Sequence, residues 1–282
     1  MTFQLKKAER KQTKIRLGLS GASGFGKTYT GLLIAKGLVG DWTKIAMIDT
    51  EHGSGELYSD LGEYNIISLS PPYTPERYIE AIKACEQAGM ECIIIDSISH
   101  EWDGEGGCLD IQTQLGGRYQ DWAKITPRHQ KFINTILTCK SHVITTVRRK
   151  QDYEVVNDGK RTTVQKVGTK EVTREGFEYE LTMNLEIIND KHMVKASKDR
   201  TGLFMDKPEF IPNELTGKII REWCKSGKEK EPEPKKVLTP EVKEWVSIKK
   251  RLIEGTATLL QIEEFFEISE QNKELLLEEA TV

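Results

Sequence analysis

Residues 21–29 read Gly21-Ala22-Ser23-Gly24-Phe25-Gly26-Lys27-Thr28-Tyr29, which contains the spacing G-x-x-x-x-G-K-[ST]. The chemistry served by that spacing is the holding of phosphate. Glycines let the main chain curl until its N–H groups point inward, and the N-terminus of a following helix adds partial positive charge. The stretch from Gly21 to Tyr29 is therefore the candidate nucleotide-binding segment. Lys27 would reach the β- and γ-phosphates of ATP, and the Thr28 hydroxyl would ligate Mg2+. One hydroxyl leaves most of a magnesium shell open, so a carboxylate is needed beside it. Asp96 is the candidate, because it closes the apolar run Cys92–Ile95 and ligands gather at the carboxyl ends of strands in open parallel sheets. Capping of the next helix is the competing role for Asp96, and Ser97 could serve only as that cap.

Hydrolysis further requires a group that orients and polarises water. Asp49-Thr50-Glu51 closes the run Ile45–Ile48 on the same sheet edge, which makes Glu51 the leading catalytic base, against the reading of an exposed loop glutamate. The strand His142–Val147 leads into Arg148-Arg149-Lys150. Arg148 then falls near the expected γ-phosphate, as a sensor or as the entrance to a solvated basic loop. His100, Glu101 and His129 could suggest a metal or acid–base cluster, but their spacing is not that of a zinc motif, and helix packing or loop hydrogen bonding competes.

These residues need a scaffold, and the chain from Lys14 to about Trp223 supplies one. Short β-branched runs, Ile15–Leu19, Ile45–Ile48, Cys92–Ile95 and Val143–Val147, alternate with helical periodicity over Thr28–Leu38 and Pro75–Ala88. Such alternation predicts a mostly parallel sheet covered by helices on both faces. From Lys150 to Gly176 the chain is polar and basic without apolar alternation, and a long loop or flap is expected. Alternation returns in Leu181–Ile188 and Met193–Ser197 around an Asn189-Asp190 turn, predicting a hairpin whose strands run antiparallel. The charged, Pro-rich stretch 226–240 reads as a flexible linker between a domain over 1–225 and a helical hairpin over 241–282, interrupted near Gly255-Thr256.

Taken together, the phosphate loop, Met47-Ile48-Asp49-Thr50-Glu51-His52 and Ile93-Ile94-Ile95-Asp96-Ser97 resemble the core of RecA-like P-loop ATPases over roughly residues 14–202. The resemblance implies that Glu51 activates water and that Asp96 is the Walker B aspartate. Asp96-Ser97-Ile98-Ser99-His100-Glu101-Trp102 and Thr126-Pro127-Arg128-His129-Gln130 look most like phage-encoded RecA-like proteins associated with single-strand annealing and recombination. Lys198-Asp199-Arg200 is similar to the K-x-R element by which such subunits reach a neighbour's nucleotide. That likeness implies that Lys198 and Arg200 act catalytically across the contact of a homo-oligomer, ring or filament; a surface charge cluster is the alternative. Where Arg148 stands, RecA proteins usually carry an amide.

The resemblance also implies single-stranded DNA as partner, held by loops in the region of the flap. Candidate contacts are Lys160, Arg161, Lys166, Lys170 and Arg174, with Arg118 on a second Gly-rich segment, 103–120. The flap also carries several carboxylates, so an ordinary solvated loop competes. The function expected is ATP hydrolysis coupled to work on single-stranded DNA, with a hexameric helicase-type motor or a slowly hydrolysing loader as alternatives. The C-terminal hairpin is a candidate contact for a replication or recombination protein.

Composition narrows the field. A net charge of -3 over 282 residues excludes a uniformly basic nucleic-acid binder and leaves room only for a local basic surface. No apolar run approaches the length of a membrane span, and the N-terminus shows no apolar leader, so a cytoplasmic protein is expected. Five cysteines without a C-x-x-C pair argue against a disulfide framework, and reduced, buried thiols are expected.

Overall fold

The computed structural model describes residues 5, 7–157, 162–229 and 235–281. The chain forms two compact units, Met1–Glu229 and Lys230–Val282. In the first unit, strand β1 (Arg16–Gly21) leads into helix α1 (Lys27–Val39), followed by β2 (Ile45–Asp49), β3 (Asn65–Ser68), α2 (Pro75–Gln87) and β4 (Cys92–Asp96). The short helices α3 (Ser99–Asp103) and α4 (Cys108–Gln114) precede α5 (Trp122–Thr138), β5 (His142–Asn157) and β6 (Thr162–Glu171). After α6 (Phe177–Glu180), β7 (Met183–Ile187) and β8 (Val194–Asp199), helix α7 (Glu214–Lys225) closes the unit.

The strands lie in the order β3-β2-β4-β5-β1-β7-β8, parallel except for β8, which runs antiparallel to β7. The uninterrupted apolar runs follow from this topology, because a parallel strand with helices on both faces buries every side chain. In β2 and β4, Ile45, Met47, Cys92 and Ile94 pack into the core shared with α1 and α7. The alternate residues Ala46, Ile48, Ile93 and Ile95 pack into the core shared with α2 and α5. Helices α1 and α7 meet through glycine. A Cβ on Gly37 would lie 2.0 Å from the Glu214 carbonyl oxygen, and one on Gly217 would lie 2.1 Å from that of Ile34.

Two expectations are corrected. Residues 150–157 and 162–171 are not a loop: β5 continues well past the parallel sheet and pairs antiparallel with β6, from Arg149 opposite Glu171 to Asn157 opposite Thr162. The segment is rich in β-branched residues, and a two-stranded ladder is held by main-chain bonds that need no apolar alternation. Among its described residues the C-terminal unit carries three helices rather than two, α8 (Lys243–Ile253), α9 (Leu259–Phe265) and α10 (Glu270–Thr281), with β9 (Lys236–Val237) pairing parallel with β10 (Phe266–Glu267). Leu238, Trp245, Ile248, Ile262 and Leu276 make its core.

The stretch read as a linker is folded at both ends. Lys228 bridges to Lys11 in the first unit, and Leu238 is buried in the second. All five cysteines are free and buried. No helix among the described residues is long and apolar enough to cross a membrane.

Candidate active site

The loop after β1 turns on Gly24 and Gly26, with φ of 81° and 85°, a left-handed conformation that favours glycine. Gly26 is also the N-cap of α1 and donates no side chain to it, so the first-turn amides, which have no intrahelical partner, stay available to an anion. The β7–β8 turn closes over this loop. His192 Nδ1 lies 2.8 Å from the Phe25 carbonyl oxygen, and a Cβ on Gly26 would lie 2.8 Å from the same nitrogen. Tyr29, the third residue of the helix, is exposed and tilts against Tyr58 at 5.7 Å.

Lys27 Nζ donates to the carbonyl oxygens of Gly21 at 3.1 Å and Ala22 at 2.9 Å. Burial lowers the pKa of its ammonium, while Asp96 and Glu51 oppose the shift. Thr28 Oγ1 donates to Asp96 Oδ2 at 2.6 Å, and the other carboxylate oxygen accepts from Thr146 on β5. Burial raises the Asp96 pKa, against the bonds from Thr146 and Thr28 and the nearby Lys27 charge. A buried carboxylate with only hydroxyls as direct partners, next to a threonine on a helix N-terminus, fits a hard divalent cation with oxygen ligands. Thr28 and Asp96 are the residues that would hold Mg2+.

Glu51 and Arg148 form the rim. The β2 register places Asp49 opposite Asp96 of β4, and Asp49 Oδ1 accepts the Glu51 amide at 2.6 Å, fixing the turn. Arg148 Nε donates to Glu51 Oε1 at 2.8 Å and a second guanidinium nitrogen donates to Oε2, while Ser97 Oγ donates to Oε1 at 3.1 Å. Burial pushes the Glu51 carboxyl up, but the Arg148 fork outweighs it and the net shift is downward, so Glu51 is held ionised. Behind them, His100 Nδ1 lies 2.8 Å from Thr50 Oγ1 and its ring stacks on Tyr73 at 4.9 Å. The His100 pKa is lowered by burial and by the Arg148 charge.

Thus the loop, Lys27, Thr28, Asp96, Glu51 and Arg148 converge at the carboxyl ends of β1, β2 and β4, where Arg148 of β5 lies opposite Gly21. Lys198 and Arg200 do not join them. Asp199, between them, pairs with Met183 at the start of β7, whereas Gly21 pairs with Ile187 at its end. Both cations instead donate to main-chain carbonyls at α6, Lys198 to Glu178 at 2.9 Å and Arg200 to Tyr179 at 2.8 Å. The suspected cluster also divides. His100 belongs to the rim, while Glu101 and His129 are joined by Cys108 in a buried group whose donor atoms lie within 4.8 Å of one another. His129 Nδ1 lies 3.0 Å from Glu101 Oε1, and Cys108 Sγ donates to the same oxygen at 3.1 Å.

Of the candidate DNA contacts, Lys160 and Arg161 lie outside the described residues, as does the side chain of Lys166. Lys170 is exposed, Arg174 donates to Thr126 Oγ1 at 3.1 Å, and Arg118 caps the turn before α5 through Asp121, with its side chain 71% exposed. Thr146, Thr50 and His192 were not singled out from the sequence. A threonine pair, Thr145-Thr146, in the middle of a strand buried on both faces was the available signal for the first.

No curated protein matches the chain. A family model described as an AAA domain matches residues 13–211, more than two thirds of the 282 residues and every residue of the convergent site. With its phosphate loop, Asp96 and Glu51 at the strand ends of a mostly parallel sheet, the chain belongs to this AAA-domain family of P-loop ATPases.

Proposed function

We propose that the protein hydrolyses Mg-ATP as a RecA-like enzyme acting on single-stranded DNA, in phage recombination or replication of the annealing or strand-exchange type, within the host cytoplasm. The contact of Thr28 with Asp96 at 2.6 Å carries the ATPase part of this reading, because it brings together the two oxygens that a magnesium ion on a triphosphate requires. The ion, when bound, neutralises charge on the phosphate oxygens. The loop amides and Lys27 hold the phosphates. Arg148 exchanges Glu51 for the γ-phosphate, and the released Glu51 polarises water. Lys198 and Arg200, remote from the nucleotide loop of their own chain, serve a neighbour's nucleotide in a ring or filament, which makes turnover depend on assembly.

Calorimetry with Mg-ATP and turnover with and without single-stranded DNA test the two parts separately. Glu51→Gln should keep nucleotide affinity and lower turnover by about 10²–10⁴-fold. Unchanged turnover in that variant would remove Glu51 as the base. Turnover and oligomeric state both indifferent to DNA would replace the recombination reading with a nucleotide-gated loader.

A further inference from the structure

A cleft of about 770 Å³ opens beside α5, lined by Trp102, Tyr119, Trp122, Thr126 and Arg174 among others. The indoles of Trp102 and Trp122 stack on each other, with ring centroids 5.4 Å apart and an interplanar angle of 17°. Tyr119, at the cleft, is 90% exposed. Three aromatic rings at one open cleft are unusual on a soluble surface and need a reason. Arg174 is the cleft's only charged lining residue among those described. A neighbouring cleft of about 530 Å³ shares Trp102 and Arg174, but there carboxylates, Asp103 and Glu171 included, stand among the cations. Aromatic faces with one cation and no lining carboxylate distinguish the larger cleft, and that combination fits a chain of stacked bases on a phosphate backbone.

The cleft is tied to the ATP site through α3. Within five residues, Ser99 Oγ accepts the Arg148 amide at 2.9 Å, His100 bonds Thr50, Glu101 is held by His129, and Trp102 faces the cleft. The edge of His129 also meets Trp102, at 5.6 Å.

We propose that the Trp102–Tyr119–Trp122 cleft stacks the bases of single-stranded DNA, with Arg174 on the backbone phosphates, and that α3 conveys its occupancy to the Glu51–Arg148 pair. The inference rests on the proposed function and assigns its DNA surface. Binding of a thymidine oligonucleotide to the full chain, followed by anisotropy and by tryptophan emission, tests it. The strand should quench emission, and Trp122→Phe should remove much of that quenching. Tyr119→Ala, which removes an exposed ring and no packing, should weaken binding about tenfold. Arg174→Ala should weaken it and reduce the salt slope by about one.

An abasic strand of the same length should bind far more weakly; equal binding overturns the stacking claim. Unchanged affinity in both Tyr119→Ala and Arg174→Ala overturns the cleft, and preference for a uridine ribo-oligonucleotide overturns DNA as the occupant. Loss of DNA-stimulated turnover in Tyr119→Ala is the expected sign of the α3 link. Absence of Mg-ATP binding in the unaltered protein would instead bring down the proposed function and leave the oligonucleotide result to stand by itself.

Discussion

Asp96 and Glu101 are carboxylates five residues apart, each only 1% exposed, yet their surroundings differ in kind. Asp96 has hydroxyl partners, Thr28 and Thr146, and burial keeps its pKa raised. Glu101 has an imidazole at 3.0 Å and a thiol at 3.1 Å. A buried carboxylate that meets only hydroxyls is costly in the free protein and is stabilised when a cation arrives, whereas one whose hydrogen bonds join two elements holds them together. Both are buried and acidic, but the first lies at the N-terminus of α1 beside the phosphate loop, while the second joins α3 to α4 and α5.

Asp96→Asn should break the ligand side of this contrast. Turnover should fall by about 10²–10³-fold, while thermal stability stays level or rises, because a desolvated carboxylate has been replaced by a neutral amide of the same shape. Calorimetry and a melting curve on one preparation decide it, and a large loss of stability would remove the distinction. Glu101→Ala should show the opposite pattern, costing on the order of 3 kcal/mol by denaturant unfolding as His129 and Cys108 lose their shared partner.

The two buried histidines sharpen the contrast at smaller magnitude. His129 has a carboxylate, but His142 accepts the Ile15 amide at 3.1 Å and faces Lys14, Arg16 and Lys225, so burial and these charges lower its pKa from 6.5 to about 3. The unfolded imidazole takes up a proton as pH falls through about 6.5, while the folded one does so only near 3. Between those values the unfolded state binds more protons, so the stability present above the window is lost as pH drops, by up to about 1.4 kcal/mol per unit. His142→Asn should flatten that part of the stability profile; an unaltered slope would assign acid sensitivity elsewhere.

How much of this was legible in the sequence depended on which physical signal each part leaves. The nucleotide loop, Lys27, Thr28 and Asp96 were readable because a glycine-rich turn between an apolar run and a helix has few other uses. Glu51 was marked by its place after β2, and resemblance set it above an exposed loop glutamate, since such a residue carries no periodicity of its own. Its grip by Arg148 was not legible, because the pairing spans 97 residues in sequence. Thr146 was hidden by its own propensity: a threonine in a strand looks like an ordinary β-former until its hydroxyl is found on Asp96. The β5–β6 ladder was read as a loop because main-chain pairing outside the core leaves no apolar pattern, and the edge strand Asn65–Ser68 escaped because four residues with two adjacent isoleucines are too short to show a period.

The glycine contact between α1 and α7 sets a limit on how short a working fragment can be. Helix α7 starts at Glu214, beyond the matched residues 13–211, yet it supplies Ile220 and Cys224 to the same core as Ile34 and Leu38. A chain cut at residue 211 would strip the outer flank from the helix that presents Lys27 and Thr28. Such a fragment is expected to aggregate or to lose Mg-ATP affinity by calorimetry, whereas one ending at Glu229 keeps both helices and should retain it. The smallest portable nucleotide-binding piece is therefore longer than the stretch by which its kinship is recognised.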